Sequence, residues 1–102
     1  MEMILLWSES AENQLKDIFD YYSIEAGSRT AKKLINKIIK RVDILLSYPL
    51  SGQKEELLLN RQLEYRYLIE GNYKIIYSVQ EKYLVISAIF DTRQNPLKME
   101  NI

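Results

Sequence analysis

The segment SAIFDTRQNP, residues 87–96, sets charged side chains directly after an apolar run. The run ends at Phe90, and Asp91 and Arg93 follow. An arginine at the end of a strand can bind an anion or stabilise developing negative charge through charge-assisted hydrogen bonds. It can equally pair with Asp91, and an ion pair exposed to solvent adds little to stability. Both roles stay open for Arg93 from these residues alone.

Histidine and cysteine are both absent from the 102-residue chain, which restricts the chemistry open to it. A Ser-His-Asp triad, a Cys-His pair and a disulfide are excluded. No side chain has an unperturbed pKa near 7, where histidine acts as a general base. A zinc site would need carboxylates alone, and Glu55 and Glu56 lack a supporting cluster. We expect no metal and no cofactor, and an enzyme built here would use Arg, Lys, Tyr or carboxylates.

The overall composition is that of a small globular domain. Hydrophobic residues make up 47% of the chain and charged residues 27%, values far from those of disordered proteins. The apolar run in MEMILLWSES is read as a strand because it lacks a basic flank and a cleavage site. No apolar run approaches the roughly 18 residues of a membrane span. We expect one domain over residues 1–102, located in the cytoplasm.

The formal net charge is zero, but the charges are separated along the chain. Residues 1–27 contain six acids and one base, and residues 28–43 contain six bases and one acid. This separation fits an acidic helix that attracts a basic helix packed beside it, which is the interpretation we favour. The alternative is that the basic helix face binds an acidic partner or a phosphate backbone.

Two helices are predicted in the N-terminal half. Ala11, Leu15, Ile18 and Tyr22 recur at the spacing of one helix face. Gly27 interrupts the pattern, and a second apolar stripe follows with bases largely on the opposite face. The short break between them predicts an antiparallel helical hairpin. The apolar positions of the second helix are Ala31, Leu34, Ile35, Ile38, Val42, Leu45 and Leu46.

Three strands are predicted after Gly52. The segment GQKEELLLN is interpreted as loop or short irregular structure, and RQLEYRYLIEG, NYKIIYSVQ and KYLVISAIFD then alternate with period two. The short connections at residues 71–72 and 80–82 predict an antiparallel meander. Alternation in the last strand predicts one face with Leu84, Ile86, Ala88 and Phe90, and the other with Tyr83, Val85, Ser87 and Ile89.

The predicted order is strand, helix, helix, strand, strand, strand, which is an α+β fold. The last strand is apolar on both faces, so we expect it inside the sheet with the N-terminal strand as a neighbour. The helical hairpin must then pack on one face of a small, mainly antiparallel sheet. The other face is expected to be open, and an open sheet face with tyrosines suits protein recognition.

In this order, four fragments resemble the RelE/ParE superfamily of bacterial type II toxin–antitoxin toxins. The fragments are WSESAENQLKDIFDYY, LSYPLSG, RQLEYRYLIEGNYKIIYSV and ISAIFDTRQNP, and together they span nearly the whole chain. The run YKIIYSV followed by an apolar strand and DTRQNP is the most specific of them. The resemblance implies a toxin that arrests growth when free and a cognate antitoxin that neutralises it with a helix or strand.

Members of the superfamily differ in their target. The resemblance to RelE-like members implies an endoribonuclease that cuts messenger RNA in the ribosomal A site, with basic side chains that stabilise charge. Lys74 and Arg93 occupy positions of such basic residues, and Arg66 is a looser match. Simpler roles are also open: Lys74 as a strand lysine that keeps the sheet soluble, and Arg66 as a cross-strand partner of Glu64 or Glu70.

The resemblance to ParE-like members implies a protein that poisons DNA gyrase, and we favour this subgroup. The residues after Arg93 contain neither the histidine nor the tyrosine that ribonucleases of the superfamily carry there. Asp91 stands where many relatives have histidine, and a net charge of zero suits a protein target better than ribosomal RNA. Tyr65, Tyr67 and Arg93 are the candidates for binding the target or the antitoxin. A degenerate, non-toxic binding module is a third alternative.

Overall fold

The computed structural model describes residues 2–93 and Met99. The elements are β1 (Ile4–Trp7), α1 (Glu9–Ala26), α2 (Ser28–Ser47), β2 (Gln53–Lys54), a 3-10 helix (Glu56–Leu58), β3 (Tyr65–Glu70), β4 (Tyr73–Gln80) and β5 (Tyr83–Asp91). The strands lie in the order β1-β5-β4-β3-β2, with β1 parallel to β5 and the other neighbours antiparallel. The predicted α+β fold, with a helical hairpin on a mainly antiparallel sheet, is confirmed.

Local signals fix where the helices begin and end. Ser8 is the N-cap of α1, and its hydroxyl accepts a hydrogen bond from the backbone N–H of Ala11 at 3.0 Å. Glu9 and Glu12 lie in the first turn, where acidic side chains interact favourably with the helix dipole. Gly27 separates α1 from α2 with φ +92°, a conformation that glycine adopts without strain.

The helices cover one face of the sheet, here called the inner face. Tyr73, Ile75, Tyr77 and Val79 share one face of β4, as their alternation predicted, and that face is turned towards the helices. Ile38 of α2 is fully buried against them. The buried residues of this inner core are Ala11, Ile18, Ile38, Val42, Leu45, Tyr73, Ile75, Tyr77, Leu84, Ile86 and Ile89.

A β-bulge in β5 changes which residues point inward. Between Ile86 and Ala88 the register with β4 shifts by one residue, which leaves Ser87 without an opposite partner. Beyond the bulge, Ile89 packs in the inner core and Phe90 faces away from the helices. The prediction that Ala88 and Phe90 share a face with Ile86 is therefore wrong, because one inserted residue inverts a pattern of period two.

Side chains of α1 and its N-cap hold the bulge in place. The Gln14 side-chain oxygen accepts a hydrogen bond from the backbone N–H of Ile89 at 2.7 Å. The Ser8 hydroxyl donates to the carbonyl of Ser87 at 3.1 Å. Backbone groups that the bulge removes from the ladder are thus satisfied, as buried backbone requires. The course of β5 towards Arg93 therefore depends on α1.

The opposite, outer face of the sheet is partly covered, whereas the sequence predicted an open face. Leu58 of the 3-10 helix and Met99 pack over Ile76, Ala88 and Phe90, and these five residues form what we call the outer cluster. The cluster can form because the bulge turns two apolar residues of β5 outward. Both β2 and the 3-10 helix lie in the segment that was interpreted as loop or irregular, and β2 pairs with β3 at the sheet edge.

Candidate functional site

Arg66 lies on the inner face and reaches the loop after α2. It is opposite the inward-facing Tyr77 in the β3–β4 register. One guanidinium nitrogen donates to the carbonyl of Gly52 at 2.8 Å and to that of Leu50 at 3.3 Å. The predicted pairing with Glu64 is present at a longer distance, 3.6 Å. Arg66 therefore binds the loop backbone more closely than it binds the carboxylate.

Tyr77 fastens the same loop from within the inner core. Its hydroxyl donates to the carbonyl of Pro49 at 2.8 Å and accepts from the backbone N–H of Gly52 at 2.9 Å. Burial raises the pKa of Tyr77, so the phenol keeps the proton that it donates. A Cβ atom at position 52 would lie 2.6 Å from this hydroxyl oxygen, so glycine is the residue that fits. The fragments LSYPLSG and YKIIYSV are thus joined by one buried hydroxyl.

Lys74 lies on the outer face, bound to a buried carboxylate. Its ammonium nitrogen is 2.8 Å from Glu55 Oε2, and only 3% of the Glu55 side chain is exposed. The ammonium also lies 4.3 Å from the centre of the Tyr67 ring, a cation–π contact. Glu55 Oε1 accepts from the backbone N–H of Leu57 at 3.3 Å, which fixes the start of the 3-10 helix. Sequence reasoning missed this pair, because no periodicity marks a loop carboxylate as buried.

Tyr65 and Tyr67 lie on the outer face, at the rim of the outer cluster. Both side chains are half-buried and pack against that cluster. The Tyr67 hydroxyl donates to the side-chain oxygen of Gln53 at 3.0 Å, which ties β3 to β2. Part of each tyrosine stays exposed, so this face retains aromatic surface that a partner can contact.

Arg93 lies just beyond β5 and is held by Asp91. Its Nε and one terminal nitrogen donate to the two carboxylate oxygens at 3.0 and 2.8 Å. These hydrogen bonds lower the pKa of Asp91, while 57% of the Arg93 side chain stays exposed. The pair borders a cleft of about 500 Å³ whose other lining residues are Gln14, Asp17, Ile18, Tyr21, Tyr73, Ile89 and Phe90.

Tyr73, beside this cleft, is poorly suited to act as a general base. The Tyr73 hydroxyl donates to the Tyr22 hydroxyl at 3.5 Å. Burial chiefly, and the contact with Tyr22 in addition, raise the pKa of Tyr73 above its ordinary value of about 10. A phenol with a raised pKa stays protonated at neutral pH and does not act as a general base. Residues 94–98 and 100–102, where the sequence has no histidine or tyrosine, lie outside the described residues.

The structure does not bring the three candidate ribonuclease residues together. Arg66 lies on the inner face and Lys74 on the outer face, and Arg93 lies beyond the end of β5. Attack by a 2′-hydroxyl needs a base, an acid and a charge-stabilising group around one phosphate. Each of the three cations instead has its own protein partner at 2.8 Å. Within the described part of the chain, these three cations therefore take part in ion pairs and loop contacts.

A groove between α1, α2 and β1 was not predicted from the sequence. It has a volume of about 490 Å³ and mostly apolar walls. The helical periodicity indicated an apolar stripe on each helix, but it did not indicate that part of both stripes stays uncovered. The groove is lined by Leu5, Trp7, Leu15, Phe19, Ile35, Ile39 and Val42, together with Glu12, Lys16 and Asp43.

A row of exposed cations on α2 is called here the basic face, and it belongs to the same helix as one wall of the groove. None of the ion pairs among the described residues joins α1 to α2 or includes a member of this row. The attraction between the acidic and basic helices is therefore not made by direct ion pairs. The members of the basic face are Arg29, Lys32, Lys33, Lys37 and Lys40.

The part of the chain that the structure describes holds no cluster of three or more side chains that could bind a metal ion. None of its helices is both long enough and apolar enough to cross a bilayer.

Comparisons with known proteins agree with this architecture. One solved structure similar to this chain comes from the chromosomal ParDE TA system from P. aeruginosa, with a TM-score of 0.74 and 24% sequence identity. The match covers 88% of this chain and 96% of that chain, and it shows a shared fold. The comparison with curated proteins found no match. Residues 5–96 match the family model described as the ParE toxin of type II toxin-antitoxin system, parDE. Because that match runs from β1 to beyond β5, the chain belongs to the ParE toxin family.

Proposed function

We propose that this toxin arrests growth in the cytoplasm by binding DNA gyrase and that a cognate antitoxin neutralises it. The choice of target rests on one observation, which is that Arg66, Lys74 and Arg93 are separated in space. A ribosome-dependent ribonuclease of the RelE type would need these side chains around one phosphate, and two of them lie on opposite faces of the sheet. A protein that blocks its target by binding has no such requirement.

Charge supports a protein target as well. Contacts to phosphates supply much of the affinity of a protein for RNA, so RNA-binding surfaces are usually basic. This chain has 14 basic and 14 acidic residues. On the outer face and at the end of β5, Lys74 and Arg93 each face a carboxylate, from Glu55 and Asp91. Little free positive charge is left there to attract RNA.

The target-binding surface in this proposal includes Tyr65, Tyr67 and Arg93. Tyrosine and arginine are enriched in protein interfaces, where they combine apolar contact area with directed hydrogen bonds. Each of the three side chains is partly or largely exposed. Arg93 can keep its bond to Asp91 through one edge of the guanidinium and donate to a partner through its remaining N–H groups.

The antitoxin site in this proposal is the apolar groove together with the basic face of α2. Ile35 and Ile39 turn into the groove, and Lys32, Lys33 and Lys40 lie on the same helix. A segment that fits both features is amphipathic, with apolar residues for the groove and acidic residues for the cations. Charge complementarity of this kind steers association and sets specificity.

The choice of target is tested with the purified toxin in two assays. We expect it to inhibit DNA supercoiling by gyrase and to leave messenger RNA intact on translating ribosomes. Arg93→Ala should weaken gyrase inhibition roughly tenfold, the usual scale for an interface arginine. Lys82→Ala, which removes an exposed cation from the turn before β5, serves as the matched control and should leave inhibition unchanged. Cleaved messenger RNA with normal supercoiling would establish the ribonuclease alternative instead.

Neutralisation is tested by inducing the chain alone and then with the small gene encoded beside it. We expect arrest of growth that the neighbour relieves, and a complex of the two purified proteins. The double variant Lys32→Glu, Lys40→Glu should weaken that complex at least tenfold, whereas Lys82→Glu should not, because only the former pair lies on the basic face of α2. Growth without arrest, from folded protein, would indicate the degenerate binding module.

A further inference from the structure

Among the described residues, the edge of β1 that faces away from β5 has no partner strand. β1 pairs with β5 on one side, and the sheet of the described residues ends at its other side. The N–H of Ile4 donates to the carbonyl of Lys82, in the turn before β5, at 2.8 Å, and the N–H of Ser8 donates to the carbonyl of Ile86 in β5 at 2.9 Å. Bonding in a parallel pair alternates along the strand, so Leu5 and Trp7 direct their N–H and C=O groups away from β5.

The free edge of β1 lacks the features that prevent an edge strand from pairing with a strand of another molecule. Its sequence, ILLW, contains no charge and no proline, and its register with β5 has no bulge. On the outer face, Ile4 and Leu6 are 43% and 45% exposed, and on the inner face Leu5 and Trp7 border the apolar groove. The opposite edge, β2, has only two residues and carries the exposed Lys54. The β1 edge of the sheet is therefore open to pairing with another strand, whereas the β2 edge is protected from it.

We propose that two copies of the free toxin pair through this edge, with their β1 strands antiparallel about a two-fold axis at Leu5. Leu5 then lies opposite the second copy of itself, Ile4 opposite Leu6, and Met3 opposite Trp7. Opposite residues in an antiparallel ladder alternate between hydrogen-bonded and non-bonded pairs. Leu5 and Trp7, whose backbone groups point outward, fall in the hydrogen-bonded pairs of this register.

Side-chain matching favours this register. Ile4 and Leu6, the exposed apolar residues of the strand, cover each other on the outer face. An axis at Leu6 would instead set Ile4 opposite the polar Ser8 and would leave it uncovered. Since Leu5 also lines the groove, the grooves of the two copies meet near the axis. A stable interface buries about 1,000 Å², more than a four-residue edge supplies, so the groove walls have to contribute.

Charge allows a second copy as the partner, and symmetry limits the pairing to two copies. The formal net charge is zero, and β1 itself is uncharged, so two copies meet without long-range repulsion. A two-fold contact uses the same surface of both copies, and the protected β2 edge offers no continuation. The antitoxin segment proposed above would cover Leu5 and Trp7, so the pair belongs to the free toxin. The pairing itself does not depend on the proposed function.

Sedimentation equilibrium of the isolated chain, made by cell-free synthesis without antitoxin, tests the pairing. The mass should rise from 12.1 kDa towards twice that value with increasing concentration. Leu6→Lys should give monomer throughout, because it removes the apolar partner of Ile4 and places on the edge a lysine, one of the features that prevent strand pairing. Leu59→Lys, at a residue that is 64% exposed and outside β1, should leave the dimer intact. Circular dichroism checks that both variants fold. A wild-type monomer up to millimolar concentration, or equal loss of dimer in both variants, would overturn the pairing.

Cross-linking tests the register, since the chain has no cysteine of its own. Ile4→Cys and Leu6→Cys, mixed under mild oxidation, should form a mixed disulfide rapidly, because non-bonded antiparallel pairs bring Cα atoms to about 4.5 Å. Neither variant alone should cross-link as fast, since each cysteine then lacks an opposite cysteine. A disulfide that forms faster with Leu6→Cys alone contradicts an axis at Leu5. Rapid cross-linking of the control Leu59→Cys would show random collision instead.

Discussion

The side chains of Lys74 and Arg66 are largely enclosed by protein, whereas that of Arg93 is largely exposed to solvent. The exposed fraction of the side chain is 22% for Lys74, 18% for Arg66 and 57% for Arg93. All three have an oxygen partner at 2.8 Å. The partner of Lys74 is a carboxylate that is itself buried, whereas Arg93 and Asp91 form their pair at the surface.

The three contacts have equal distances, but the loss of each has a different effect on stability. Water can replace the partner of an exposed cation at little cost, so a surface ion pair contributes little to stability. A buried carboxylate that loses its cation cannot be solvated, and the loss is large. The two enclosed cations are therefore expected to hold the fold, and Arg93 is the one left free to contact another molecule. Variants at the three positions separate these roles by the size of their effect.

The largest loss of stability is expected for Lys74→Met. The substitution leaves the buried Glu55 carboxylate without a counter-charge, and the free energy of unfolding should fall by about 3 kcal/mol. Urea denaturation followed by circular dichroism measures it. The double variant Glu55→Gln, Lys74→Met should recover most of that loss, because no buried charge remains. Lys82→Met is the control at an exposed lysine, and a loss as large there would remove the contrast with Lys74.

A loss of intermediate size is expected for Tyr77→Phe. The change keeps the ring but leaves the carbonyl of Pro49 and the N–H of Gly52 without their partner, at a cost of about 2 kcal/mol. The midpoint of thermal unfolding should fall accordingly. Tyr83→Phe is the matched control, since that hydroxyl makes no hydrogen bond within the described residues, and its midpoint should stay near that of the wild type. Equal midpoints for the two variants would mean that the loop is not held by the hydroxyl.

Arg66→Met should cost about 1.5 kcal/mol, because its guanidinium donates to two carbonyls of the same loop and is partly open to water. Arg66 and Tyr77 share Gly52 as a partner, so their effects should not add. The double variant Arg66→Met, Tyr77→Phe is expected to lose less than the sum of the two single losses in urea denaturation. Strict additivity would show that the two side chains act on separate parts of the loop.

Much of the fold could be predicted because periodicity reports which side of an element is apolar. The helical stripe through Ala11 and Ile18 and the alternation of β4 both report it. The bulge at Ser87 could not be predicted in this way, since it depends on Gln14 of α1, a residue distant in the sequence. The outer cluster follows from the bulge and was missed with it.

The candidate site was less predictable than the fold for a related reason. The types and positions of Arg66, Lys74 and Arg93 were evident, but their roles depend on partners that the chain brings from elsewhere. Glu55 lies 19 residues before Lys74 in an irregular segment. The carbonyls that bind Arg66 are backbone groups, which no side-chain pattern marks. Asp91, two residues from Arg93, is the one partner that the sequence could supply.

The smallest effect on stability is expected at Arg93, where it separates a role in binding from a role in the fold. Arg93→Ala and Asp91→Asn should leave the midpoint of thermal unfolding at pH 7 close to that of the wild type. Arg93 lowers the pKa of Asp91 in the folded state, so the pair stabilises the fold above the unfolded pKa of about 4 and stops doing so as pH falls through the lower folded value. The three proteins should therefore converge at a pH below the folded pKa of Asp91, where that carboxyl is protonated in both states. Because Arg93→Ala barely changes stability, a loss of gyrase inhibition in that variant would report a contact with the target. A large fall in its midpoint at pH 7 would make Arg93 structural, like Arg66 and Lys74.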